Sequence, residues 1–236
     1  MSGGADLDRR PLPWQGSILP LNYRRNSINS LNDTAIVGKI LADYDIILPV
    51  KHIPIILVSG GSCSGKSVFA HLFQNAFILE MDHFYYGKPL MKKRPDGTYD
   101  FDAPEAVDIE YCARAAKELI TGKKVTIPKY NMNISERIGT QQIQLPKAAK
   151  FLVIEGIFAF YPPLLPIADL KIYIDVPTEI RVARRMLRDQ QKGRSDIETL
   201  AWSITVEKNH QKYVEPTKKH ADIIIPFSYN PIQMKV

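Results

Sequence analysis

The sequence is poor in cysteine and has no long apolar run. Its two cysteines, Cys63 and Cys112, lack the spacing of a metal site, so we expect free thiols in a reducing compartment. The longest apolar stretch, residues 151–167, is interrupted by Glu155 and three prolines, whereas a membrane-spanning helix needs about eighteen uninterrupted apolar residues. The first residues lack the apolar core of a signal peptide. We therefore expect a cytoplasmic protein that does not bind a membrane.

The charge of the chain is moderately basic and unevenly spread. The 236 residues include 31 Lys and Arg against 25 Asp and Glu, a net charge of +6. Residues 181–194, RVARRMLRDQQKGR, hold six of the basic residues and one aspartate. Such a cluster favours the phosphate oxygens of a nucleotide or a nucleic acid as partners. The stretch has no interleaved aromatic residues, so we expect a nucleotide and no nucleic acid.

Two regions of different composition divide the chain. Residues 1–50 are rich in Asn, Pro, Ser and Arg, and we interpret them as an N-terminal extension that docks on the core. The docking face would be one side of a short helix that carries Ile36, Val37, Ile40, Leu41 and Tyr44. The arginines of this region leave a targeting peptide as an alternative, which its aspartates argue against. Residues 51–236 form the predicted main domain.

Five short, nearly continuous apolar runs follow the extension. They lie at residues 53–59, 76–81, 151–156, 170–176 and 221–226. Such runs are typical of strands buried on both faces of a parallel sheet. Helical patterns lie between several of them, at residues 67–75, 104–120, 177–191 and 196–213. This alternation predicts a doubly wound α/β fold with a mainly parallel five-stranded sheet.

A long insertion, residues 83–150, separates the second and third predicted core strands. It contains a helix and two segments, 123–131 and 140–146, that we interpret as the two strands of a β-hairpin. An insertion above the carboxyl ends of parallel strands is well placed to bind a second substrate.

A phosphate-binding loop follows the first predicted strand. VSGGSCSGKS, residues 58–67, has the spacing G-x-x-x-x-G-K-S between a strand and a helix. Its glycines allow the backbone N–H groups to approach phosphate, Lys66 can reach the β- and γ-phosphates, and Ser67 can place its hydroxyl on Mg²⁺. The predicted triphosphate-binding residues here are Gly60, Gly61, Ser62, Ser64, Gly65, Lys66, Ser67 and Val68.

Two acidic residues end the next predicted core strands. Asp82 could accept a proton from an attacking hydroxyl or hold Mg²⁺ through water, although a turn aspartate is the alternative. Glu155 follows a fully apolar run, where burial of a carboxylate costs free energy unless the charge is paired or binds a metal. Mg²⁺ is such a metal, and a salt-bridged strand end is the alternative.

The basic segment is the predicted lid, residues 181–195. On a helix, Arg181, Arg184, Arg185 and Arg188 recur at three- and four-residue spacing and form a ridge. The ridge could close on a nucleotide and shield the transferring phosphoryl group, and a solvated basic face is the alternative. A guanine-nucleotide switch is disfavoured, because the nearest base-reading motif has His220 where aspartate is needed. The residues therefore predict a phosphotransferase with a small hydroxyl acceptor.

Seven ordered motifs resemble the uridine kinase (uridine–cytidine kinase) family, within the phosphoribulokinase/uridine kinase class of P-loop kinases. They run from about residue 54 to residue 226 as GGSCSGKS, MDHFYYGKP, DFDAPEAVD, ITGKKVTIPKYN, VIEGIFAFY, IYIDVPTEIRVARRMLRDQQKGRS and EPTKKHADIIIP. The resemblance implies Mg²⁺-dependent phosphorylation of the 5′-hydroxyl of a uridine- or cytidine-type nucleoside by ATP or GTP, as in pyrimidine salvage. It also implies a possible homo-oligomer.

The resemblance implies roles for the acidic and aromatic residues. Asp82 resembles the catalytic base, and Ser67, Glu155 and Asp82 resemble the metal ligands. Asp102 resembles the carboxylate that holds the ribose hydroxyls, with a turn aspartate as the alternative. Tyr130 resembles the aromatic residue that helps to seat the nucleoside, with a packed strand-end tyrosine as the alternative.

The same resemblance implies roles for basic residues. Arg185 and Arg194 resemble lid arginines near the substrate and phosphate, and Arg188 and Lys192 resemble those nearer ATP. With Asp82, the predicted catalytic residues are Lys66 and Arg185.

The predicted acceptor pocket departs from the family pattern. Ser135 stands where the family usually has a base-reading histidine, Met132 stands where an aromatic residue often packs on the base, and Arg137 keeps the family's arginine. We count Ser135 and Arg137 among the predicted substrate-binding residues. Loss of the imidazole removes one polar contact to the base, and such a change can redirect specificity.

Two other functions therefore stay open at this point. One is a kinase of another small acceptor, such as nicotinamide riboside or a sugar phosphate, because PDGTYDFD is similar to a segment of nicotinamide riboside kinases. The other is a nucleotide-binding regulatory protein without turnover. The intact Lys66, Ser67, Asp82 and Glu155 argue against the regulatory protein, and the altered base pocket keeps it open.

Overall fold

The computed structural model of the chain describes residues 38, 48, 52–95 and 97–227. The predicted N-terminal helix and the boundary at residue 50 lie outside these residues, apart from Gly38, which is helical, and Leu48. Leu48 is partly buried and packs against apolar side chains of the core. Docking of the extension as a whole stays a prediction.

In the part of the chain that the structure describes, seven strands form two sheets. In chain order they are β1 Ile55–Gly60, β2 Ala76–Glu80, β3 Val125–Asn131, β4 Glu136–Ile143, β5 Phe151–Glu155, β6 Leu170–Asp175 and β7 Ile223–Pro226. The five-stranded sheet has the order β2-β5-β1-β6-β7, and every neighbouring pair in it is parallel. The predicted parallel five-stranded sheet is therefore confirmed.

The core lies on both faces of this sheet. In β1, Ile55 and Leu57 contribute to one apolar cluster, whereas Ile56 and Val58 contribute to the other. Alternate side chains of a strand point to opposite faces, so a continuous apolar run is what a doubly covered strand requires. Burial on both faces explains why these short runs were recognisable in the sequence.

Besides the helical Gly38, the described residues contain four α-helices: α1 Lys66–Ala70, α2 Ile109–Leu119, α3 Thr178–Gln190 and α4 Asp196–Asn209. The predicted extents of α1 and α2 were wrong. After Ala70, α1 gives way to tight turns that lead into β2, so it does not continue to residue 75. The start of α2 is set by Asp108, whose side chain accepts a hydrogen bond from the Tyr111 N–H at 3.0 Å, and Pro104 begins a separate short turn.

The insertion forms a separate two-stranded antiparallel sheet, β3 paired with β4. The second strand begins at Glu136, four residues before the predicted position, because the turn is tight and Ser135 adopts a left-handed backbone with φ 57°. Strand β3 lies against the helical turn Met81–Phe84 that follows β2. The hairpin is therefore held beside the segment that carries Asp82.

Arg137 holds the hairpin in this position. Its Nε donates a hydrogen bond to the Tyr85 carbonyl at 2.7 Å, and its Nη2 donates one to the Phe84 carbonyl at 3.0 Å. The guanidinium lies 3.8 Å from the Asp108 carboxylate and 5.1 Å from the ring centre of Tyr86. These contacts are within the protein, and the predicted contact of Arg137 with the acceptor stays a prediction.

We expect Arg137→Ala to lower the free energy of unfolding by about 1–3 kcal/mol, because it leaves two carbonyls without their charged donor. Lys129→Ala, at an exposed position of the same hairpin, is the matched control and should change stability by less than about 0.5 kcal/mol. Urea denaturation of the three proteins measures both effects. Equal stability of Arg137→Ala and the wild type would contradict the role of Arg137 as a clamp.

Candidate active site

The phosphate loop packs directly on its neighbours. Gly60 ends β1 with φ 144°, and a Cβ atom there would lie 2.5 Å from the carbonyl oxygen of Ile174 in β6. A Cβ atom at Gly61 would lie 2.8 Å from the Arg181 side chain of α3. The position of Gly60 therefore requires glycine, and at Gly61 a larger residue would have to displace the Arg181 side chain. The loop thus lies between the sheet and α3.

Lys66 and Ser67 make the first polar contacts of the loop. Lys66 is only 8% exposed, and its Nζ donates a hydrogen bond to the Gly61 carbonyl at 3.0 Å. Burial lowers the pKa of Lys66, while the negative charges of Glu155 and Asp82 act in the opposite direction. Ser67 Oγ donates a hydrogen bond to Glu155 Oε1 at 2.7 Å. Lys66 thus closes the loop on itself, and Ser67 joins the loop to the end of β5.

The predicted metal ligands come together at these strand ends. In the sheet register, Glu155 lies opposite Val58 of β1 and Glu80 of β2, and Asp82 follows two residues after Glu80. Within the described ranges no cluster of three or more His, Cys, Asp or Glu is suited to a metal. A hydroxyl and one or two carboxylates nevertheless fit Mg²⁺, which takes its remaining oxygen ligands from phosphates and water.

Asp82 has the electrostatic character of a general base. The side chain keeps contact with solvent, yet protein surrounds it closely enough that burial raises its pKa to about 6. The charge of Glu155 raises the pKa further, and Lys66 and Arg188 partly offset the rise. A carboxylate with a pKa near 6 is still ionised at neutral pH and binds a proton more readily than an ordinary aspartate.

The predicted acceptor side lies next to Asp82. Burial also raises the pKa of Asp102 to about 6, against the opposing charge of Arg185. Burial and the charges of Asp82 and Asp102 raise the pKa of Tyr85, which is therefore a neutral phenol near both carboxylates. The ring of Tyr85 lies 5.4 Å from that of Tyr130. Asp82, Asp102 and the partly exposed Tyr130 thus lie near one another, with the buried Tyr85 between the two carboxylates and Tyr130.

Tyr85 was missed by the sequence analysis. It lies in MDHFYYGKP beside a second tyrosine, and nothing in the spacing distinguished the two. The structure does: Tyr85 is 7% exposed, whereas Tyr86 packs under the guanidinium of Arg137.

The predicted arginine ridge is divided into two pairs with different partners. Arg181 is 5% exposed and donates hydrogen bonds to the Val176 carbonyl at 3.0 Å and to Glu207 at 2.7 Å. Arg184 donates to the Ser64 carbonyl at 3.0 Å. These two arginines support the phosphate loop from within the fold. The interpretation of all four as one ridge that closes on a nucleotide was therefore wrong for Arg181 and Arg184.

The other pair faces the carboxylates. Arg185 is 5% exposed and its charge acts on Asp102, while the charge of Arg188 acts on both Asp82 and Asp102. Arg188 and Arg194 both donate to the buried Asp189 carboxylate, at 2.9 and 3.3 Å. Asp189 thus gathers two of the predicted lid arginines, a role that the sequence analysis missed because one aspartate among many basic residues looked like a surface residue.

The remaining predicted residues lie in two turns. Lys192 is exposed in the turn after α3, and Met132 is 52% exposed at the turn of the hairpin. Ser135 lies at the turn of the hairpin with a left-handed backbone, and its carbonyl accepts a hydrogen bond from the Lys88 N–H at 3.0 Å. The predicted contact of Ser135 with the acceptor stays a prediction.

The chain belongs to the phosphoribulokinase / uridine kinase family, whose model matches residues 55–230. It is 36% identical over 192 residues to uridine-cytidine kinase A of Dictyostelium discoideum, covering 78% of this chain and 38% of that protein. It is 34% identical over 181 residues to the uridine kinase of Macrococcus caseolyticus, covering 73% and 87%. The chain thus spans less than half the length of the first of these relatives.

Solved structures share the fold. A possible uridine kinase from Bacillus stearothermophilus superimposes with a TM-score of 0.56 at 18% identity, covering 82% of this chain and 97% of that one. Phosphoribulokinase from Rhodobacter spheroides gives 0.53 at 18% identity, covering 75% and 70%. In the described part of the chain, no helix combines the length and apolarity needed to cross a bilayer, and both cysteines are free thiols, as expected.

We expect Asp82→Asn to lower turnover by roughly 10²–10⁴-fold, because it removes the group that takes the acceptor's proton. The affinity for ATP should stay nearly unchanged, since the phosphate loop is intact. Steady-state kinetics and binding of a fluorescent ATP analogue measure the two quantities.

Glu80→Gln is the matched control: it neutralises an exposed carboxylate two residues away and should keep activity. In the wild type, kcat/KM for the acceptor should fall as pH drops through about 6, where raised pKa values let Asp82 and Asp102 take up protons. An Asp82→Asn protein with wild-type turnover would remove Asp82 as the base.

Proposed function

We propose that this protein transfers the γ-phosphoryl group of ATP to the 5′-hydroxyl of a ribonucleoside of the uridine or cytidine type, which gives the nucleoside monophosphate. One observation carries the proposal: Asp82 lies near Lys66 and Glu155 of the donor side and near Tyr85 of the acceptor side, close enough for their charges to interact. A phosphoryl donor and a hydroxyl acceptor held on these two sides would meet at Asp82. Membership of the uridine kinase family supports this assignment.

The donor side binds and orients the triphosphate. The backbone N–H groups of the loop and the Lys66 ammonium would hold the β- and γ-phosphates, and the supporting contacts of Arg181 and Arg184 keep the loop in shape. Ser67, Glu155 and Asp82 would hold Mg²⁺, which supplies charge neutralisation for the phosphates. ATP is the proposed donor, with GTP as the alternative.

The acceptor side positions the hydroxyl. Asp102 would accept hydrogen bonds from the ribose hydroxyls, and the partly exposed ring of Tyr130, which packs near the buried Tyr85, would contact a planar base. Asp82 would accept the proton of the attacking hydroxyl as the bond to phosphorus forms. Arg185 and Arg188, near these carboxylates, are placed to stabilise negative charge on the transferring group.

One observation favours a second class of acceptor. Ser135 stands at the position where the family usually has a base-reading histidine, and Met132 beside it is 52% exposed. An acceptor with other ring chemistry, such as nicotinamide riboside, or a sugar phosphate would not need that histidine.

Assembly and location also stay proposals. The exposed side chains of Ile197, Leu200 and Ile204 on α4 offer apolar area to a homo-oligomer. The two free cysteines suit the proposed cytoplasmic location.

We expect uridine or cytidine to raise ADP formation above the rate in buffer when the protein is assayed with ATP and Mg²⁺. The panel should also contain nicotinamide riboside and ribulose 5-phosphate, and a Lys66→Met variant controls for contaminating kinases. Turnover with nicotinamide riboside or ribulose 5-phosphate alone would redirect the assignment to that acceptor. No acceptor above buffer would contradict both kinase hypotheses and favour a regulatory protein.

A further inference from the structure

One carboxylate ties the turn that carries Asp102 to a helix far away in the sequence. Asp100 Oδ1 accepts a hydrogen bond from Asn209 Nδ2 at 2.6 Å and another from the Asp102 backbone N–H at 3.3 Å. Asp100 Oδ2 forms an ion pair with Arg94. Three donors from three segments of the chain therefore meet at a single side chain.

Asn209 is well placed to link the Asp102 turn to the end of α4. It is the last residue of α4 and is only 7% exposed, and the chain continues from it into a wider, π-type turn, His210–Val214. Wide turns of this kind are frequent at functional positions of helices. Two residues earlier, Glu207 forms an ion pair with Arg181 of α3 at 2.7 Å. A chain of direct contacts thus runs from the arginine-rich helix through α4 to the turn at Asp102.

The turn that precedes Asp100 is closed by backbone hydrogen bonds and not by the Asp100 side chain. The Arg94 N–H donates to the Thr98 carbonyl at 2.7 Å, and the Gly97 N–H donates to the Arg94 carbonyl at 2.9 Å. These backbone bonds shape the segment that precedes Asp100. The side-chain contacts of Asp100 are additional to them and are directed at Asp102 and at α4.

We propose that Asp100 is a positioning residue for the acceptor: it fixes the Asp102 turn against α4 and so couples the acceptor side to the α3–α4 helix pair. The proposal rests on the proposed function for the role of Asp102, whereas the coupling itself rests on the contacts alone. An ionised carboxylate can accept from several donors at once, which suits a residue that joins three segments. An asparagine at this position would keep the Oδ1 bonds and lose the ion pair with Arg94.

The kinetic test uses the full-length protein and the acceptor with the highest wild-type turnover. Asp100→Ala should raise the acceptor KM roughly tenfold or more, because it removes charge-assisted hydrogen bonds. Turnover at saturating acceptor and the KM for ATP should change by less than about threefold, the pattern expected when only ground-state positioning is lost. Glu118→Ala, an exposed carboxylate on α2, is the control and should change neither KM.

Two further variants separate coupling from general damage. Asn209→Ala should also raise the acceptor KM, and combining it with Asp100→Ala should add little, because both remove the same link. Asp100→Asn should restore most of the acceptor affinity. A KM effect that is fully additive in the double variant would overturn the coupling.

Failure of this inference is distinguishable from failure of the proposed function. If Asp102→Ala raises the acceptor KM while Asp100→Ala does not, the positioning role is wrong and the proposed function stands. If Asp102→Ala leaves the acceptor KM unchanged, the role assigned to Asp102 is wrong, and the positioning role fails with it.

A measurement without substrate tests the coupling independently of activity. In the ligand-free protein, Asn209→Ala should speed amide hydrogen exchange in peptides that cover residues 99–103 and leave the hairpin, residues 125–143, unchanged. Unchanged exchange at residues 99–103 would overturn the proposal whatever the acceptor proves to be. This measurement also serves if Asp100→Ala does not fold.

Discussion

The close approach of Gly60 to the carbonyl of Ile174 is the constraint on which the rest of the site depends. The backbone of Gly60 passes so near to β6 that it leaves no room for a side chain. The loop therefore leaves β1 over the carboxyl ends of the strands. The partners of the loop then follow from strand order. Glu155 ends β5 on one side of β1, and the next strand outward, β2, leads to Asp82. Three separate chain segments thus meet because their parallel strands end together.

The acceptor side is built differently, by clamps between side chains and backbone. Arg137 binds two carbonyls of the segment after Asp82, and Asp100 binds the turn that carries Asp102. The Arg137 clamp joins the hairpin to the segment after Asp82, and Asp100 joins its own turn to Asn209 of α4. Apolar side chains of the insertion, such as Leu119 and Ile127, also pack in one cluster with β1 and β5, so the charged hydrogen bonds add to this apolar packing.

Much of the fold and the donor side could be predicted from the sequence, for physical reasons. Strands buried on both faces must be apolar throughout, and a phosphate loop must have glycine at fixed positions, so both leave plain patterns. Helix ends were predicted less well, because Asp108 rather than Pro104 starts α2 and local turns shorten α1. The start of the second hairpin strand depends on the left-handed backbone conformation of Ser135, which no sequence pattern predicted.

The roles of individual charged residues were the least predictable part. Four arginines lie close together on α3, yet they have different partners. Arg181 and Arg184 support the phosphate loop, whereas Arg185 and Arg188 lie near the carboxylates of Asp82 and Asp102. Helical periodicity predicts the face of the helix that carries a side chain. It does not predict which group the guanidinium of a long arginine side chain will contact. The same limit applies to Asp100, whose partner Asn209 comes from a distant segment, and to Asp189, whose burial beside Arg188 and Arg194 the sequence did not indicate.

The most direct test of the proposed function is a crystal structure of the protein with ADP, Mg²⁺ and uridine or cytidine. We expect the nucleoside 5′-oxygen at hydrogen-bond distance, about 3 Å, from the Asp82 carboxylate, with the ribose hydroxyls on Asp102 and the base against Tyr85 and Tyr130. A nucleoside bound with its 5′-oxygen away from Asp82, or bound outside this surface, would contradict the assignment of Asp82 as the base and of Asp102 as the ribose ligand.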